Sequence, residues 1–228
     1  MNIEIEKMTI TIVKASAKML DLTTLEEGID ALKRIEYIGR ISHRSEDRIT
    51  DYSYARFIES VVMHHGDLSI IEHVSCSVEV EVDRGITHEI VRHRLGAYTQ
   101  ESTRFVNYSK DGQPPRFIMP DFVEPTEQQF WKEGVEQAAT KYQTLLELGN
   151  APQIARSILP TALASKLVIT YNLRMWRHFF IMRTTKEAHP QMREVTIPLL
   201  EQFQHSIPIL FDDIKPNAKQ SDNMRLLR

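Results

Sequence analysis

The sequence holds one cysteine, Cys76, in 228 residues. No internal disulfide framework and no four-cysteine zinc site can form. No stretch approaches the ~20 apolar residues that a membrane-spanning helix requires. The start, Met1-Asn2-Ile3-Glu4-Ile5-Glu6, lacks the basic segment and apolar run of a secretory leader, so the expected compartment is cytoplasmic. Positive charge is not in excess: 28 Lys and Arg against 31 Asp and Glu leave a net charge of −3. That excludes a broad nucleic-acid surface but leaves room for a local anion site. The eight glycines stand at 28, 39, 66, 85, 96, 112, 134 and 149, and none builds G-x-G-x-x-G or a phosphate loop. His88 and His93 are five apart, one too many for the two-histidine zinc helix, since positions i and i+5 differ by ~140°. No metal site is expected.

What is present is ordinary for a globular chain: 42% hydrophobic and 26% charged residues. Residues 8–13 alternate and are β-branched, which predicts a strand. Residues 24–45 and 51–65 read as helices. Val74, Cys76, Val78, Val80 and Val82 share one face of a second strand, which makes Cys76 a core side chain and not a nucleophile. Gly85 opens a helix over 86–95. Residues 106–125 carry four prolines and read as irregular loop. Thr126 with Gln129 forms a capping-box signature for a helix to about 148, where Gly149 stops it. Pro152 starts a short helix, 167–173 reads as a strand, and 174–187 and 191–207 read as helices, the last interrupted by Pro198. The expectation is an α+β fold: a single domain over 1–214, with a modest antiparallel sheet flanked by long helices, and a flexible tail over 215–228.

The densest polar stretch runs from Arg92 to Arg104 and contains three arginines, a histidine and no lysine. A solvated helix face would explain it. So would an anion site, because arginine is the residue suited to bidentate recognition of phosphate or carboxylate. A second cluster comprises Arg156, Asn172, Arg174, Arg177, His178 and Arg183. Arg174 and His178 share a helix face, while Arg183 lies ~180° away. Such a helix can serve two ligands or two subunits. For Arg177 and Arg193 the simpler reading is a basic helix packed on an acidic neighbour.

Arg92-His93-Arg94, seven residues and then Ser102 resembles the R-H-R-x7-S signature of the flavin-dependent thymidylate synthases. The resemblance extends to both sides. Gly66-Asp67-Leu68-Ser69-Ile70-Ile71-Glu72-His73 is similar to the family's G-H-x-[ST]-x-x-E-H segment, and Arg40-Ile41-Ser42 to its early R-x-S. Ala155-Arg156-Ser157-Ile158-Leu159-Pro160 resembles A-R-x-x-L-P. Asn172-Leu173-Arg174 and Met182-Arg183 match N-x-R and L-R. Six elements stand in the family's order across residues 40–195.

The resemblance implies conversion of dUMP to dTMP, with methylenetetrahydrofolate as carbon donor and NADPH as reductant through FAD. It also implies a homotetramer whose active sites lie between subunits, and a reaction without the cysteine attack of classical thymidylate synthases. Neither nucleic acid nor membrane is an expected partner. By match of position, Glu89, Arg92, Gln100, Glu101, Ser102, Thr103, Arg104 and Arg156 would hold dUMP. Ser42, Ser69, Arg92, His93, Arg94, Leu95, Gln100, Asn172, Arg174 and His178 would hold FAD. Arg183 would sit beside the uracil, where a fixed cation stabilises charge on the ionised pyrimidine. The sequence departs from the family pattern at Glu89, where Gln is common, at Gln100, which replaces a Glu of some relatives, and at Asp67, often His. A flavin- and nucleotide-binding relative without methyl transfer is the alternative; the joint presence of Arg104, Arg156 and Arg183 favours the enzyme.

Overall fold

A computed structural model describes residues 7–110, 113–122 and 124–227. Its elements are strands β1 (Thr11–Val13), β2 (Ser16–Met19), β3 (Ser75–Asp83), β4 (Ala97–Gln100), β5 (Arg116–Ile118) and β6 (Ala164–Asn172). The helices are α1 (Leu25–Ile41), α2 (Ser53–Phe57), α3 (Arg84–Ile90), α4 (Pro125–Glu147), α5 (Pro152–Ala155), α6 (Leu173–Arg183), α7 (Pro190–Ser206) and α8 (Gln220–Asn223). The larger sheet has the order β2-β3-β6-β4. Strands β3 and β6 run antiparallel, with Arg84 N–H bonded to Leu163 O at one end and Leu173 N–H to Val74 O at the other, and Leu20 N–H beside β2 reaches Ser77 O of β3. The α+β class and the small antiparallel sheet expected from the sequence are both observed. A second sheet pairs β1 with β5 in parallel, Thr11 opposite Arg116.

The chain groups into two compact units. The first comprises the residues up to Ser16, Glu81–Arg92 and Thr99–Leu167. Its core joins Met8, Tyr108, Phe117, Val135, Ala139, Tyr142, Ala155 and Leu163. Val135, Ala139 and Tyr142 recur at helical spacing and give α4 its buried face. The α4 capping box is Glu124 with Glu127, not Thr126 with Gln129. Pro125 decides this, because its fixed φ and missing N–H suit the first helical position and place the cap one residue earlier. Strand β5 lies within the stretch read as loop; its three residues between prolines gave too short a pattern.

The second unit comprises Ala17–Val80, His93–Tyr98 and the chain from Val168 onward. Trp176, Phe180, Phe203 and Phe211 form its aromatic spine, with Trp176 stacked on Phe180 at 5.6 Å and Phe203 edge-on to Phe211 at 5.1 Å. Trp176 Nε1 donates to Cys76 O at 2.9 Å. Thr24 and Glu27 make a complete capping box for α1. A Cβ at Gly28 would come within 1.7 Å of Ser206 O, so glycine is what lets α1 approach the end of α7. Helix α7 continues through Pro198 without interruption. Its buried Val195, Leu199, Leu200 and Phe203 outweigh the ~3 kcal/mol that an internal proline costs. Residues 58–64 form a π-helix, and 215–227 carry α8 and a 3₁₀ turn, with Asn223 buried and donating to Lys215 O.

Candidate active site

Two groups of side chains combine cations with polar partners, one in each unit. In the first, Asp83 caps α3, its carboxylate accepting from Ile86 N–H at 2.8 Å. The helix ends at Ile90, short of the expected 95. Beyond the helix the carbonyl of His93 accepts from the Tyr98 hydroxyl, and the chain passes into β4.

After β4 the chain turns at Ser102, whose Oγ accepts from Arg104 N–H at 3.3 Å. Arg104 Nε donates to Gln153 Oε1 at 3.0 Å, and its guanidinium lies over the Phe105 ring at 5.3 Å. Arg156 Nη1 donates to the buried Thr103 hydroxyl at 2.9 Å. Both guanidiniums are therefore held by neutral acceptors, and neither has a carboxylate partner among the described residues. A cavity of about 230 Å³ is lined by Thr103, Arg156, Ser157, Leu159, Leu163 and Arg84. Arg84 was missed in the sequence, where only its place before Gly85, at a strand-to-helix junction, marked it. Two cations and two hydroxyls on one small cavity suit a phosphate.

Gln100 donates its amide to Thr87 Oγ1 and Ser165 Oγ, both at 3.1 Å, which fixes the carbonyl end of its side chain. Glu101 is engaged elsewhere: it accepts from Tyr108 Oη at 3.0 Å and Arg116 Nη2 at 3.1 Å. Arg116 also bridges to Glu81 at 3.1 Å. Burial, and then the Glu101 charge, push the Tyr108 hydroxyl well above its ordinary pKa, so it stays a donor. Glu89 lies half-buried on α3. Arg92 is exposed and makes no ion pair or hydrogen bond among the described residues.

In the second unit, Arg183 at the end of α6 donates through Nε to Nε2 of His93 at 2.9 Å. The His93 ring is buried and packs edge-on to Phe179 at 5.1 Å and to His178 at 5.9 Å. Burial first, and the Arg183 charge second, lower the pKa of His178, which keeps it neutral. Asn172 caps α6, its Oδ1 accepting from Met175 N–H at 2.8 Å, which leaves its amide nitrogen as the donor end. Arg174 is paired with Glu72 at 2.5 Å on an exposed surface. Ser42 Oγ donates to Gly39 O at 2.8 Å at the end of α1, and Ser69 is exposed in the 3₁₀ turn Leu68–His73. Arg177 is buried and bidentate to Asp213 at 2.7 and 2.8 Å, the acidic-neighbour reading made from the sequence.

Arg94 is exposed and makes no ion pair or hydrogen bond among the described residues, and the Leu95 side chain after it is 78% exposed. A cation with no counter-charge beside an uncovered apolar side chain is the donor chemistry that a flavin dinucleotide needs: charge for its pyrophosphate, apolar contact for its ring. The structure thus brings Arg84, Thr103 and Arg156 together, and Ser102 with Arg104, and His93 with His178 and Arg183. Arg174 is turned to Glu72 and Glu101 to Arg116.

Both the sequence and the α+β fold have counterparts among known proteins. The family described as thymidylate synthase complementing protein matches residues 24–209, and the chain belongs to that family. Among curated relatives, it is 30% identical over 188 residues to the flavin-dependent thymidylate synthase of Pyrococcus furiosus, covering 81% of this chain and 75% of that one. It is 31% identical over 217 residues to the enzyme of the same name from Mycobacteroides abscessus, covering 85% and 83%. The fold is similar to a crystal structure of the UMP/dUMP methylase PolB from Streptomyces cacaoi bound with 5-Br dUMP. The TM-score is 0.73 at 23% identity, covering 89% of this chain and 95% of that one.

Proposed function

We propose that the protein methylates dUMP to dTMP, with methylenetetrahydrofolate as carbon donor, FAD as bound cofactor and NADPH as reductant. The observation that carries this reading is the carboxylate-free pair Arg104 and Arg156, held by Gln153 and Thr103. Arginines committed to structure are found on acids, as Arg40, Arg116 and Arg177 are. Two held by neutral groups keep their charge for a ligand.

Arg156, Arg104 and Arg84 take the nucleotide phosphate, with Ser102 and Thr103 supplying hydroxyls. Gln100, fixed by Thr87 and Ser165, reads the polar edge of the nucleotide. Glu101 positions Arg116 and Tyr108 and, with its charge engaged there, does not repel the phosphate. Arg183 places a permanent cation beside the uracil and stabilises the N3 anion. Arg92, Arg94, Leu95, Ser42, Ser69, Asn172, Arg174 and His178 hold the flavin. When bound, FAD supplies the redox chemistry that links NADPH to the methyl carbon.

No thiol takes part in this reading. Cys76 is fully buried, its Sγ lies 3.4 Å from Asp21 O, and burial drives the thiol pKa far up. Residues 1–214 act as the catalytic domain of a cytoplasmic homotetramer, in which the phosphate group of one subunit and the Arg183 group of another meet at each site. Among the described residues no helix is long and apolar enough to cross a membrane. The test is a turnover assay on FAD-loaded protein with dUMP, methylenetetrahydrofolate and NADPH. Formation of dTMP supports the reading; bound flavin and bound dUMP without dTMP would leave a nucleotide-binding relative without methyl transfer.

A further inference from the structure

The Arg183–His93 contact does not stand alone. The main chain of His93 is held from the other side by Tyr98, whose hydroxyl donates to His93 O. Because the single proton of that hydroxyl is engaged on His93 O, its lone pair accepts from the Tyr171 hydroxyl, 2.6 Å away. The two phenols thus form an ordered relay, Tyr171 to Tyr98 to the His93 carbonyl. Tyr171 is 1% exposed and braced by Trp176, with ring centroids 4.7 Å apart. Tyr98 meets it edge-on at 5.9 Å. Gly96 permits the arrangement: a Cβ there would lie 2.2 Å from the Tyr171 ring. Successive hydrogen bonds of this kind polarise one another in a low-dielectric interior.

We infer that Tyr98 and Tyr171 are positioning residues for Arg183, acting through the backbone and ring of His93. The inference rests on the role proposed above for Arg183. His93 Nε2 can accept from Arg183 only while it carries no proton, so the ring must be the Nδ1–H tautomer and must keep its angle. The relay fixes the carbonyl of the same residue, and with it the backbone from which that ring projects. A guanidinium displaced by 1 Å loses most of its value to a developing charge.

The experiment compares Tyr98→Phe, Tyr171→Phe and the double variant in FAD-loaded protein. It reads kcat, KM for dUMP and the ¹⁵N resonances of His93. Tyr98→Phe should lower kcat about tenfold, the worth of one buried hydrogen bond, with KM for dUMP within about twofold. Tyr171→Phe should cost about threefold, because the bond from Tyr98 remains. The double variant should be no worse than Tyr98→Phe, since Tyr171 acts only through Tyr98. In the wild type, the His93 resonances should report one Nδ1–H tautomer, and in Tyr98→Phe a mixture. Wild-type kcat with wild-type His93 resonances in Tyr98→Phe would overturn the inference, as would single effects that add. Should Tyr98→Phe not fold, Tyr171→Phe decides by the same two readouts. Failure of the wild type to make dTMP would strike the proposed function alone, because the resonances still test the relay.

Discussion

Arg183 and His93, ninety positions apart in the chain, share one hydrogen bond of 2.9 Å from Nε to Nε2. The bond consumes the guanidinium's single Nε–H and orients its plane. The guanidinium brings a positive charge on a planar donor group. A lysine at this position would keep the charge and lose the plane.

Arg183→Lys should therefore lower dTMP formation by at least 10²-fold, and Arg183→Ala should abolish it, while both retain bound FAD. Flavin absorbance measured beside turnover checks this. Loss of flavin in either variant, or wild-type turnover in Arg183→Ala, would remove the assigned role.

The cavity proposed for the phosphate makes a different demand. Arg156→Gln and Arg84→Gln each delete one charge facing about 230 Å³ and should raise KM for dUMP by roughly 10- to 100-fold with a smaller effect on kcat. Deoxyuridine, which lacks the phosphate, should bind the wild type and both variants alike. Isothermal titration with the nucleotide and the nucleoside separates the outcomes. Equal losses for both ligands would place the two arginines elsewhere.

His178 gives a pH signature. Its pKa is lowered from 6.5, first by burial and second by Arg183. As pH falls below 6.5, the unfolded chain binds this proton before the folded one does, so stability falls with pH until the lowered pKa is passed. Thermal melts between pH 7.5 and pH 5 should show this slope, flattened in His178→Gln. In Arg183→Ala an NMR titration should find the His178 pKa higher than in the wild type, because the second of its two causes is gone. An unchanged value would mean that the Arg183 charge is not felt there.

Cys76→Ala should retain dTMP formation, with a stability loss of about 1 kcal/mol from the vacated volume. A folded, flavin-loaded Cys76→Ala without activity would contradict a mechanism free of thiol attack.

Much of this was legible in the sequence. The alternation from Val74 to Val82 placed Cys76 inward, and the Gly149 stop bounded a long helix, because local patterns carry those features. The arginines at 92, 94, 104, 156 and 183 were visible in two clusters by type and order. Their states were not. That Arg174 is paired with Glu72 while Arg156 rests on Thr103 depends on residues 102 and 53 positions away. Arg84 was passed over because one cation beside a glycine has no pattern until the fold closes a cavity around it.

Gly96 has an effect on how this protein can change over time. Since any larger residue there would drive into the Tyr171 ring, the stretch from His93 to Tyr98 cannot be remodelled by single replacements at its tightest point. A small molecule wedged against that stretch would meet a surface with few routes of mutational escape, because a lineage that moved the turn aside would unseat its own histidine.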